Sequence, residues 1–188
     1  MALPHPIIPR AETNALLRTF RAYQSAQSVV TRKSLAALFR VQELSNACQI
    51  ALTSQIGLGL SLPHPTGIVI YPDAQIGINC CIFQHVTIGM RQEYCRILIG
   101  DCVEIGPHAQ LLGDISIGDG AVIGAGAVVA HDVPAYHIAI GAPARTLRYR
   151  EHHERHIRSS RPSPQTRVSD VSKPAARARI ATESPPSN

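Results

Sequence analysis

Between Ile50 and Val129 an aliphatic residue returns every six positions, often with glycine directly after it. Three runs keep this frame. The first is Ile50, Ile56-Gly57 and Leu62. The second is Ile70, Ile76-Gly77, Ile82 and Ile88-Gly89. The third is Ile99-Gly100, Ile105-Gly106, Leu111, Ile117-Gly118, Ile123-Gly124 and Val129. A small or short aliphatic residue stands two places before many of them, as at Ala74, Val86, Ala109, Ala121 and Ala127. A period of six matches neither the 3.6 of a helix nor the plain alternation of an isolated strand. It does match short strands joined by tight corners, in which the aliphatic residue and its neighbour two places back both point inward. Stacked coils of this kind share one aliphatic core and hydrogen-bond to each other about 4.8 Å apart. The pattern therefore predicts a mainly β protein, a parallel β-helix over residues 49–148.

The flanks read differently. Over residues 11–48 apolar positions recur at steps of three and four: Leu16, Leu17, Phe20, Tyr23 and Val30, then Leu35, Leu38 and Phe39. This predicts a short N-terminal helical segment within residues 1–48, made of two amphipathic helices. Thr13 is the expected N-cap, and a break is expected near Thr31–Ser34. Residues 149–188 are rich in Ser, Pro and Arg and nearly free of large apolar side chains. Such a segment cannot bury enough surface to offset its ordering entropy and is expected to be a disordered tail.

Composition narrows the function classes. The net charge of +5 resides entirely beyond residue 147, where nine Lys/Arg face four Asp/Glu; the rest of the chain holds nine of each sign. A basic face for nucleic acid is thus not predicted on the repeat region. Aromatic residues make up only 4% of the chain, with no Trp, so the core must be aliphatic. No apolar run approaches the roughly 20 residues of a membrane span, and Met1–Arg10 has no signal pattern. The expected location is cytoplasmic. The five cysteines (Cys48, Cys80, Cys81, Cys95, Cys102) lack paired metal-type spacing and read as buried or incidental thiols.

The repeat frame slips twice, by two residues between Leu62 and Ile70 and by five between Ile88 and Ile99. Solenoids extrude such extra residues on one face, often the binding face. Pro63–Ile68 should form a bulge and Met90–Leu98 a protruding loop. With the insertions removed, His85 and His108 fall one full coil of eighteen residues apart, and His64 falls within one residue of the same column. Three histidines would then line one edge beside both extrusions. His131 and His137 lie one hexad apart on the last coil, and His137 reads as a solvated residue.

The segments IGLGLSLPHPTGIVIYPDAQIG, IFQHVTIG and IGAGAVVAHDVPAYHIAIGAPAR resemble the hexapeptide acyltransferases. Within these they resemble the branch of serine acetyltransferases and exopolysaccharide (colanic-acid type) acetyltransferases. The likeness spans about residues 50–148. It implies a left-handed β-helix, a homotrimer with active sites between subunits, and acetyl-CoA as co-substrate with no metal. It also implies that His64 is the general base. An alcohol is a poor nucleophile toward a thioester, and a neutral imidazole in hydrogen-bond reach can take its proton as attack begins. Gly124, Ala125 and Gly126 match the corner along which the pantetheine arm lies. His131 occupies a position that is commonly Lys, and Arg145 of the G-x-P-x-R element is expected near the CoA phosphates, with Arg148 behind it.

Departures from the branch bear on the acceptor. The loop GMRQEYCRIL lacks the second active-site histidine of serine acetyltransferases. Gln49 stands where an acidic residue orients the base, and Pro63 precedes the base where an acidic residue is usual. His85 is a candidate replacement for the missing loop histidine. The preferred expectation is an O-acetyltransferase acting on a sugar hydroxyl of a surface-polysaccharide intermediate, with serine acetylation as the alternative. Two further readings are a catalytically silent scaffold and a three-histidine zinc enzyme, the latter opposed by the spacing of His131 and His137.

Overall fold

The computed structural model describes residues 14–89 and 96–148. Thr13, the loop residues 90–95 and the expected tail at 149–188 lie outside the described residues.

The six-residue period becomes a parallel β-solenoid with three faces. One face carries β1 (Gln49–Ile50), β3 (Val69–Ile70), β6 (Thr87–Gly89), β9 (Gln110–Leu112) and β12 (Val128–Val129), in that order. The second carries β2 (Gln55–Ile56), β4 (Gln75–Ile76), β7 (Ile97–Ile99) and β10 (Ile115–Ile117). The third carries β5 (Cys81–Ile82), β8 (Glu104–Ile105), β11 (Val122–Ile123) and β13 (His137–Ile140). All pairings between coils are parallel. The last strand, β14 (Arg145–Arg148), turns back antiparallel on β13.

A buried aliphatic repeats at the same register from coil to coil on every face. Ile70, Ile88 and Leu111 stack on the first face, Ile76, Ile99 and Ile117 on the second, and Ile82, Ile105 and Ile123 on the third. The smaller residues two places back, Ala74, Val86, Ala109, Ala121 and Ala127, are buried as well. Glycine after the aliphatic lets coils approach closely. A Cβ on Gly77 would stand 2.5 Å from the backbone of Gly100, a distance no side chain tolerates.

The insertions are shorter than the sequence suggests. Ile68 is fully buried and its carbonyl accepts a hydrogen bond from the Gln49 N–H, so it belongs to the coil and the bulge is 63–67. Ile97 and Leu98 likewise belong to β7, with Ile97 buried.

Two helices, α1 (Ala15–Ser25) and α2 (Val29–Ser45), pack over the first coil. Asn14 caps α1, its side chain accepting from the Leu16 N–H at 2.9 Å. The break lies at residues 26–28 rather than at Thr31–Ser34: Ala26 and Ser28 adopt extended dihedrals, whereas Ser34 stays helical with its hydroxyl donating to the Val30 carbonyl. Leu16, Leu17 and Phe20 of α1 join the core together with Phe39 of α2, and the Phe20 and Phe39 rings stand 5.9 Å apart. Val30 and Leu38, expected to pack, are exposed instead.

Polar contacts tie the helices to the solenoid. Arg21 donates to the carbonyls of Ile56 (2.6 Å) and Gly57 (2.5 Å) at a corner of the first coil. The buried carboxylate of Glu43 accepts from the Ile50 N–H at 2.6 Å and from Arg40 at 3.1 Å. Removing that carboxylate leaves a buried N–H without a partner, which costs about 1–3 kcal/mol. Glu43→Ala is therefore expected to lower the midpoint of thermal unfolding by roughly 2–10 °C, and Arg40→Ala by less; circular dichroism melts of the two variants check the order.

Candidate active site

The first face ends at an edge where every coil turns with a left-handed residue. Strand register aligns Ala47, Gly67, His85, His108 and Gly126, each two places before its paired strand residue. Their φ angles are 50°, 65°, 57°, 60° and 67°. Backbone bonds hold the column, with His85 N–H donating to Thr66 O at 2.8 Å, His108 N–H to Gln84 O at 3.0 Å and Gly126 N–H to Pro107 O at 2.8 Å.

Two of the three predicted histidines come together here. The rings of His85 and His108 stack with centroids 4.7 Å apart and planes inclined by 19°. His64 does not join them: the column position in its coil belongs to Gly67, three residues further on. The bulge displaces His64 by more than the counting of inserted residues allowed. The histidine is exposed and sits in the turn whose Thr66 N–H donates to the His64 carbonyl at 2.7 Å. Gly67, absent from the sequence-based candidates, matters because a Cβ there would lie 2.3 Å from His85 Nδ1. The His85 ring thus lies against the last residue of the turn that carries His64.

Cys48 braces that turn from beneath, its thiol donating to the Pro65 carbonyl at 3.0 Å. Burial pushes the Cys48 thiol up, and burial pushes Cys80 up to about 12. Both therefore remain protonated at neutral pH and are unsuited to nucleophilic catalysis.

The other end of the column reaches the predicted cofactor corner. A Cβ on Gly126 would have nothing within 4 Å, so the corner opens to solvent. Ala125 is exposed beside it. Gly124, Ile140 and Arg145 share one row across three strands, and the Ile140 side chain covers the Gly124 position. Arg145 is exposed on β14. His131 is exposed too, its Nε2 3.1 Å from the Thr146 hydroxyl, while His137 Nδ1 lies 2.8 Å from the Ala135 carbonyl. These last two imidazoles thus engage different partners. At about 4.8 Å per coil, Gly67 and Gly126 are roughly 14 Å apart along a single edge.

Residues 96–131 match the family of bacterial transferase hexapeptide (six repeats) proteins. The chain is 42% identical over 121 residues to the mitochondrial serine acetyltransferase 3 of Arabidopsis thaliana, covering 62% of this chain and 31% of that protein. The repeat region carries the hexapeptide pattern and is similar in sequence to serine acetyltransferases. Its fold superposes on a soybean serine acetyltransferase complexed with serine with a TM-score of 0.59, at 36% identity, over 70% of this chain and 56% of that one. A serine acetyltransferase in complex with CoA gives a TM-score of 0.61 at 33% identity, over 70% and 55%. The chain thus spans about a third of the Arabidopsis protein and just over half of each solved chain.

Ala47 occupies the same column as Gly67 with a left-handed φ, so Gly67→Ala is expected to fold at a backbone cost of about 1–2 kcal/mol. Its methyl group should nevertheless push the His85 ring away. In NMR spectra the imidazole signals of His85 should then lose the ring-current shift imposed by His108, while amide signals of the distant coils stay in place.

Proposed function

We propose that this protein is an acetyl-CoA-dependent O-acetyltransferase, with serine the first acceptor to consider. One observation carries the reading: the bulge bearing His64 and the open corner at Gly124–Gly126 lie on the same edge of one solenoid, joined by a continuous column of aligned residues. In this reading Gly126 leaves room for the pantetheine arm against backbone, and Arg145 and His131 face the CoA phosphates. The thioester carbon then sits near the bulge. His64 takes the hydroxyl proton as the alcohol oxygen attacks that carbon. The tetrahedral intermediate collapses, the C–S bond breaks, and the departing CoA thiolate takes the proton from the imidazolium. Backbone N–H groups are the oxyanion donors this scheme calls for. His85, lying against Gly67, is the second active-site imidazole and contacts the acceptor. A homotrimer, with a neighbouring protomer closing the groove, belongs to the same proposal.

The relatives favour serine over the sugar hydroxyl that the sequence alone suggested. The sugar reading keeps one specific support, the replacement of acidic residues by Gln49 and Pro63 beside the base. Incubating the purified protein with acetyl-CoA and either serine or a panel of sugar acceptors, and following thiol release, separates the two. Absence of both turnover and CoA binding would leave a silent scaffold.

His64→Ala is expected to lower turnover by roughly 10²- to 10⁴-fold while CoA binding by calorimetry persists. Arg145→Ala should instead raise the KM for acetyl-CoA about tenfold, the loss of one charge-assisted hydrogen bond, with kcat nearly unchanged.

A further inference from the structure

Resting on that reading, we infer that His108 is a positioning residue that holds the His85 ring against the catalytic bulge. An exposed histidine at an outer corner has no packing on its solvent side, and its χ angles would ordinarily sample several rotamers. His85 is exposed, yet its ring is confined between two neighbours of the column. Below it, Gly67 offers no Cβ, so Nδ1 can lie within 2.3 Å of where one would stand. Above it, the His108 ring stacks at 4.7 Å with the planes nearly parallel.

The sandwich depends on the corner geometry. Both histidines have left-handed φ, 57° and 60°, so their Cα–Cβ bonds leave the backbone in the same direction one coil apart. The strands that follow are paired in register, Thr87 with Gln110. The two rings therefore stack because the backbone sets them over each other. The next residue of the column, Gly126, has open space where a side chain would be. Among the described residues, His85 is the aromatic neighbour of His108, and the His108 ring stays clear of the space beside Gly126. Its ring supports His85 and leaves the Gly126 side of the groove clear. A side chain with no part in the proton transfer thus fixes the orientation of one that meets the acceptor.

A stacked aromatic pair shifts a rotamer equilibrium by a modest factor, so the expected effect is small and specific. His108→Ala should lower kcat/KM for the acceptor about 3- to 10-fold and leave the KM for acetyl-CoA unchanged. His108→Phe keeps a ring at the same place and should restore kcat/KM to within about twofold. In parallel, the ring carbon-bound proton signals of His85 should move downfield in His108→Ala and stay near their original positions in His108→Phe. Wild-type kinetics in His108→Ala, or equal impairment in the Ala and Phe variants, would overturn the inference. His85→Ala distinguishes the two levels of the argument. If it abolishes turnover while His108→Ala is silent, only the positioning role falls. If it turns over like the wild type, the active-site reading of His85 falls and the positioning role with it.

Discussion

Each coil must bring the chain back to the same three edges, and the left-handed corners decide whether it can. At the edge that carries the histidines, three of the five corner residues are not glycine: Ala47, His85 and His108. For an L-residue such a corner costs about 1–2 kcal/mol. The cost is offset because the corner amide of His85 or His108 donates to a carbonyl of the coil below, and because the aliphatic residues that follow drop into a common core. Histidine is one of the few side chains found at such angles more often than average, so an edge of this kind can hold imidazoles where other residues would strain. The positions of the site residues are therefore inherited from the register of strands several residues away.

Much of this was written in the period. The thirteen aliphatic positions of the hexad frame are buried, and the first slip in the frame falls at the bulge of residues 63–67. The pairing of His85 with His108 followed from counting alone, since eighteen residues make a coil once an insertion is removed. His64 escaped the same counting because residues in a bulge need not return to the column; only the residue that closes the bulge, Gly67, must. That glycine gave a signal in principle, because it stands two places before an aliphatic-bearing strand just as His85 and His108 do. The helix break was missed for another reason. Thr31–Ser34 looks polar enough to end a helix, but a serine hydroxyl that bonds back to the preceding turn stays helical, whereas the extended Ala26 carries no warning in its side chain.

The site's chemistry divides between what a rigid edge supplies and what it leaves open. Backbone register fixes the imidazole pair and the bare glycine corner, and the buried Cys48 thiol beneath the bulge stays neutral. The described residues place no acidic partner on His64, and Gln49 is an exposed amide on β1. The turn that carries His64 is held instead by the Thr66 N–H bond to the His64 carbonyl and by the Cys48 thiol on Pro65. The proposed acyl transfer makes modest demands on such an edge, because a thiolate departs readily and the attacking oxygen needs only one proton removed.

The guanidinium of Arg21 on the Ile56 and Gly57 carbonyls has a consequence for assembly. A parallel solenoid ends in exposed strand edges that can recruit a second chain end to end, and continued growth in that direction would give a filament. At the first coil Arg21 occupies carbonyl acceptors, and Glu43 an N–H donor, that an incoming strand would need. At the last, β14 runs opposite to its neighbour and presents the wrong polarity for another parallel turn. Parallel extension is therefore closed off where Arg21 and Glu43 cap the first coil and along the face that β14 covers.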